Sequence, residues 1–164
     1  RLLLFSMLHP GFWTGFTPIL AAGTQPFSIE VVSPGIAARL SMSDVDALFR
    51  TDEMSFRLLL WQPLMLLRTT YQYLVEDSFG PPERIVAKRL YDLAWIPYGT
   101  GASSRSFLES LTQEDLVAAT GLSRPTVNRA VAALEASGII GRGYGRVAIL
   151  RPDALLAWTR PRAR

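Results

Sequence analysis

The chain has 164 residues, 17 Lys plus Arg against 14 Asp plus Glu for a formal net charge of +3 at pH 7, one His, no Cys, and a hydrophobic fraction of 49%. This is the balance of an ordinary globular protein, which at this length buries about 70% of its unfolded-chain surface without help from a metal or disulfide; a disordered chain and a disulfide scaffold are excluded. The absence of cysteine removes thiolate nucleophiles, Cys-type zinc sites and cysteine-held iron–sulfur clusters, and is compatible with the cytoplasm, the expected location.

The chain opens on Arg1 and runs straight into Leu2-Leu3-Leu4-Phe5 without a cap or polar lead-in, so it reads as the latter part of a longer protein. Its short apolar opening lacks a signal-peptide cleavage pattern. Residues 1–35 carry turn punctuation at His9-Pro10-Gly11, Gly15, Ala22-Gly23 and Ser33-Pro34-Gly35, with Phe27, Ile29 and Val31 alternating, which predicts strands and turns. In Ser43-Asp44-Val45-Asp46, Ser43 is the expected cap of a short helix running to about Phe49. A second helix follows Thr51. Its apolar residues Leu60, Leu64, Leu67, Tyr71 and Leu74 recur at alternating spacings of four and three, a heptad seam as well as one amphipathic face. Pro63 lies inside it, and proline removes a backbone donor, so either a kink or a break with the helix restarting near Gln62 is expected. The most apolar stretch, residues 58–67, is interrupted by Gln62 and Pro63 and closed by Arg68, far short of the roughly 20 residues that cross a bilayer.

Phe79-Gly80-Pro81-Pro82 is a stop signal and a candidate boundary. Beyond it, residues 83–95 return to helix, with Ile85, Leu90 and Leu93 near one face and Arg84, Lys88, Arg89 and Asp92 expected largely outside. Residues 96–106 read as loop.

Charge is unevenly divided. Residues 1–111 hold nine basic and ten acidic side chains, whereas residues 112–164 hold eight, all Arg, against four acids. Arg forks suit phosphates and guanine edges, so a polyanion-binding surface and a merely Arg-rich one are both open on charge alone. The local pattern goes further. Thr112-Gln113-Glu114-Asp115 is a helix start with a hydroxyl cap and an acid three residues on, and Gly121 ends that helix. Ser123 caps a second helix whose first turn tolerates Pro125. There Val127, Ala130, Val131 and Leu134 fall at i, i+3, i+4 and i+7, which turns them inward and turns Pro125, Asn128, Arg129 and Ala132 outward. Two short helices across a tight Gly-containing turn form a helix-turn-helix. Arg124, Asn128 and Arg129 are then candidate base readers, and Ser123 and Thr126 candidate phosphate contacts. Residues 139–150 read as two strands around a Gly-rich turn, a wing with Arg142 and Arg146 flanking its tip as backbone anchors.

The run LTQEDLVAATGLSRPTVNRAVAALEASGII, followed by GRVAIL and Arg151-Pro152-Asp153, closely resembles the winged-helix domain of the Crp/Fnr family of bacterial transcription regulators. The family's S-R-x-T-V-x-R at the head of the recognition helix is matched by Ser123, Arg124, Thr126, Val127 and Arg129. Many relatives have Glu where this chain has Pro125, so a base contact made by that Glu is not carried over. Upstream, residues 83–94 resemble the first helix of the family's DNA-binding domain, and residues 60–79 occupy the place of its long dimerisation helix, where Pro63 is unusual. Leu8-His9-Pro10-Gly11-Phe12-Trp13-Thr14-Gly15-Phe16 resembles the end of a cyclic-nucleotide-binding β-roll. The resemblance implies an α+β chain divided into a partial β-roll (1–50), a dimerisation helix (51–80) and a winged-helix DNA-binding domain (81–164). It implies a homodimer on palindromic double-stranded DNA, with RNA polymerase among the partners of such a regulator. Nucleotide-binding members use a Gly-Glu pair for the ribose and an Arg-Ser pair for the phosphate; here stand Gly15-Phe16 and Gln25-Pro26, so cyclic AMP binding in the usual mode is not expected. The roll is left to hold another small molecule or only to support the dimer.

Other candidates point to structure. His9 reads as a turn residue with no second ligand nearby, Asp44 with Asp46 and Glu76 with Asp77 as helix ends or solvated faces, and Phe12, Trp13 and Phe16 as core. No phosphate loop, HExxH, GxSxG or Cys/His spacing is present, so neither an enzyme nor a bound cofactor or metal is expected. The competing reading is a small-molecule sensor or interaction module whose winged helix contacts a protein.

Overall fold

The computed structural model describes residues 4, 6–8, 11–21, 23–32, 34–74, 80–94, 111–143 and 146–160. His9, Glu76, Asp77, the expected loop 96–106 and the wing-tip residues Tyr144 and Gly145 lie outside the described residues. By backbone contacts the chain divides into two compact units, one of residues 11–68 and one of residues 1–10 with 69–164.

In the first unit, helix α1 (Phe16–Ala21) stands where strands and turns were expected. Pro18 falls in its first turn, where a missing N–H costs nothing and the fixed φ suits a helix. The alternation of Phe27, Ile29 and Val31 produces no strand. A strand is held by ladder bonds to a neighbour, and no described residue offers them; Ile29, Val31 and Val32 are exposed. The segment before α1 is tied down by Gln62, whose Oε1 accepts the Trp13 N–H at 3.0 Å while its amide donates to the Gly11 carbonyl at 3.0 Å. The Trp13 and Phe16 rings meet edge-on at 5.8 Å.

Helix α2 (Met42–Thr51) is capped by Ser41, not Ser43. Asp44 closes the capping box, accepting the Ser41 N–H at 3.0 Å while its own N–H donates to the Ser41 hydroxyl at 3.2 Å. Helix α3 (Glu53–Gln72) runs unbroken through Pro63. Of the two expected outcomes at Pro63 the break does not occur, because one lost backbone bond is a small fraction of a 20-residue helix.

The second unit holds the main core. Helix α4 (Pro82–Ala94) presents Val86, Ala87, Leu90 and Leu93 to a cluster completed by Leu111, Leu116, Val127, Val131, Leu134, Ile140, Val147 and Leu155. Against expectation, Arg89 and Asp92 are buried as well, at 6% and 8% exposure. Arg89 is tolerated because its Nε donates to the Ala119 carbonyl and its Nη2 to the Leu4 carbonyl, both at 2.9 Å. Asp92 pairs with Lys88 one turn away at 2.5 Å. Burial nevertheless pushes the Asp92 carboxyl above the usual range, outweighing the pull of Lys88 and Arg89.

Helices α5 (Gln113–Thr120) and α6 (Arg124–Ala136) are followed by strands β1 (Ile140–Gly143) and β2 (Arg146–Ile149). The strands pair antiparallel from Ile140 opposite Ile149 to Gly143 opposite Arg146. The Val147 N–H donates to the Leu111 carbonyl at 3.1 Å, which anchors the sheet to the chain entering α5. Helix α7 (Pro152–Thr159) follows, with Pro152 in its first turn. It packs on α4 and buries Leu155 completely. Of α7 the sequence reading had only its first residues. Helices with one small antiparallel sheet agree with the expected α+β class, and the described sheet is the wing.

Candidate nucleic-acid interface

The surface is built from the α5–turn–α6 hairpin. Thr112 caps α5 in a full box: Asp115 Oδ2 accepts the Thr112 N–H at 2.8 Å, and the Asp115 N–H donates to the Thr112 hydroxyl at 3.1 Å. Gly121 ends the helix at φ 69°, the left-handed region where a residue with a Cβ is strained, and its N–H closes on the Val117 carbonyl. Leu122 packs half-buried against the core, and Ser123 caps α6 with Pro125 in the first turn. The expected inward face, Val127, Ala130, Val131 and Leu134, is completely buried. That fixes the roll of α6 about its axis and leaves Arg124, Pro125, Asn128, Arg129 and Ala132 exposed.

The structure thus brings Arg124, Asn128 and Arg129 together on the outward side of one helix. Ser123 is exposed beside them. Thr126 is half-buried, and its hydroxyl bonds that of Ser123 at 2.7 Å, so both hydroxyls are engaged at the cap. On the wing, Arg142 and Arg146 are exposed on adjacent strands, as the spacing required.

Two carboxylates near these cations were not anticipated. Glu114 of α5 receives Arg124 Nη2 at 2.9 Å, an exposed pair. Glu135, late in α6, receives the Nε of Arg142 at 2.6 Å, and its Nη2 as well. The Arg142 guanidinium holds the Glu135 carboxyl below its usual range, and that carboxylate raises the Arg142 guanidinium in turn. In each pair the two partners lie on different elements joined by a turn, so no periodicity within one element announced them. Arg129 and Arg146 have no carboxylate partner among the described residues.

The seam residues lie on α3 and just beyond it. Leu60 is half-buried, while Leu64, Leu67, Tyr71 and Leu74 are exposed.

Residues 86–158 match the Crp-like helix-turn-helix domain family. Among solved structures, a Crp/Fnr-family transcriptional regulator of Thermus thermophilus is 22% identical with a TM-score of 0.51, covering 68% of this chain and 57% of its own. A c-di-GMP-responsive global regulator of Xanthomonas campestris is 22% identical with a TM-score of 0.38, over 67% of this chain and 55% of its own. The chain therefore spans little more than half the length of these structures. No curated protein matches it. The matched segment begins within α4 and ends within α7, so it takes in the hairpin, the wing and most of both flanking helices. The domain match, with the Thermus thermophilus fold beside it, supports the Crp/Fnr resemblance read from the sequence. No described helix is long and apolar enough to cross a membrane.

Proposed function

We propose that the chain is a sequence-specific DNA-binding transcription regulator of the Crp/Fnr type that binds palindromic operators as a homodimer. The observation that carries this reading is the outward face of α6. Its packed inner side presents Arg124, Asn128 and Arg129 to solvent on a Crp-like helix-turn-helix with a basic wing beside it. Arg forks onto guanine and Asn onto adenine edges in the major groove, where an α-helix fits. Ser123 and Thr126 at the helix cap, and Arg142 and Arg146 on the wing, are assigned to the phosphate backbone, with Arg142 released from Glu135 on contact.

Two further points support the reading. The exposed stripe of Leu64, Leu67, Tyr71 and Leu74, continued by half-buried Leu60, is an apolar face suited to pairing α3 with its copy. Twofold pairing then calls for half-sites about one helical turn, roughly 34 Å, apart. At the positions where nucleotide-binding relatives need a carboxylate and a guanidinium, Phe16 packs on Trp13 and Gln25 donates to the Thr14 hydroxyl at 3.2 Å. Neither side chain is charged, so the anion acceptor and the guanidinium that fix such a ligand are missing, which argues against the usual cyclic-nucleotide mode.

Enrichment from a pool of randomised duplexes tests the proposal. A twofold-symmetric motif with one-turn spacing is expected. Recovery of no motif, or of an asymmetric one bound by a monomer, would overturn it.

A further inference from the structure

The C-terminal carbonyls of α5 are met by groups far away in sequence. A helix leaves its last carbonyls without intrahelical partners. Here the Ala118 carbonyl accepts the Leu4 N–H at 3.2 Å, the Ala119 carbonyl accepts buried Arg89 at 2.9 Å, and the Thr120 carbonyl accepts the Tyr73 hydroxyl at 2.9 Å. The donors are joined to one another. The Arg89 guanidinium sits 4.7 Å from the centre of the Tyr73 ring, and its Nη2 also holds the Leu4 carbonyl. All of these groups belong to one compact unit. They converge on the residues just before Gly121, the pivot of the hairpin that carries α6.

The chemistry suits a fastening. A guanidinium and a phenol hydroxyl donate to carbonyls at the negative end of a helix, where positive charge is favoured. A buried Arg left without those carbonyls would carry a large desolvation cost, so Arg89 stays buried only while they are in place. Tyr73 directly follows the last residue of α3, the helix assigned above to pairing two copies. The contact therefore ties the end of that helix to the first helix of the hairpin.

We propose that Tyr73 and Arg89 are positioning residues that latch the end of α3 onto the C-terminus of α5, holding each recognition helix at the spacing a two-half-site operator demands. The inference rests on the DNA-binding reading, and its test separates the two. In the full chain, Tyr73→Phe removes the hydroxyl that donates to Thr120 and keeps the ring under Arg89. Hydrogen exchange at residues 120–122 should quicken by roughly 2- to 12-fold, the worth of one hydrogen bond, with the amides of α6 unchanged. Affinity for a one-turn palindrome should fall by a similar factor while affinity for a single half-site is unchanged. Arg89→Lys, which keeps the charge but cannot span two carbonyls, should show the same pattern more strongly.

Unchanged exchange in both variants overturns the latch. So does an equal loss on palindrome and half-site, which would mark a general loss of stability. A wild-type chain with no sequence preference would instead refute the DNA reading, and the exchange measurement then decides the latch by itself.

Discussion

Leu67→Ala on the exposed face of α3 should weaken self-association while leaving the chain folded. Leu67 is 52% exposed, so about half of its side chain remains available to a partner. Complete burial of a leucine is worth about 1.5–3 kcal/mol, and half of that counted once from each copy gives about 1.5–3 kcal/mol per dimer. The dissociation constant should therefore rise by roughly 10- to 150-fold. Alanine is a better helix former than leucine, so α3 itself is not weakened by the change. Sedimentation equilibrium over a range of concentrations reads the effect, with circular dichroism as the check on folding. Leu64 and Leu74, 57% and 58% exposed, should behave alike. An unchanged dissociation constant in Leu64→Ala, Leu67→Ala and Leu74→Ala would refute the assignment of this face to dimerisation, as would a wild-type chain that is monomeric throughout.

Leu134→Ala should cost about 2.7–5 kcal/mol, because Leu134 is completely buried in the core of the hairpin unit; a loss under about 1 kcal/mol in urea unfolding would contradict that packing. Arg129→Ala should flatten sequence preference, at about 1–3 kcal/mol per lost base contact, whereas Arg146→Ala should weaken all duplexes alike and reduce the salt slope by about 1; band-shift assays on matched and mismatched sites separate the two. Asp92 is held by burial above its ordinary value of 3.8, so the folded state binds the extra proton between the unfolded and folded values. Its contribution to stability is complete below the unfolded value and is lost as pH rises through the folded one; in a urea-midpoint profile Asp92→Asn should remove that fall, and a profile identical to wild type would contradict the assignment.

The hairpin was legible because its signals are local and redundant. Gly121 supplies the left-handed backbone that ends α5, Ser123 supplies the capping hydroxyl of α6, and the spacing of Val127, Ala130, Val131 and Leu134 leaves one way to roll the helix. Where two local signals overlap, the expected cap, Ser43, was the wrong one. Ser41 with Asp44 and Ser43 with Asp46 are both hydroxyl–acid pairs three apart, and the chain uses the earlier. Arg89 was expected in solvent because its burial depends on carbonyls at Leu4 and Ala119, 85 and 30 residues away, that no local window contains. Alternation at Phe27, Ile29 and Val31 marks residues fit for a strand, but forming one requires a neighbour to pair with, and none of the described residues supplies it. The division of charge along the chain identified the Arg-rich third, but the placement of Glu114 and Glu135 against Arg124 and Arg142 was set by the turns.

The most direct test of the central claim is fluorescence anisotropy of the purified chain on palindromic duplexes, titrated with salt and repeated with Arg124→Ala/Arg129→Ala. Binding that releases counterions from phosphates must weaken steeply as salt rises, and the double variant should lose discrimination between duplexes while keeping residual salt-dependent affinity through the wing. Affinity indifferent to salt, or sequence preference intact in the double variant, would contradict the claim that the outward face of α6 reads DNA.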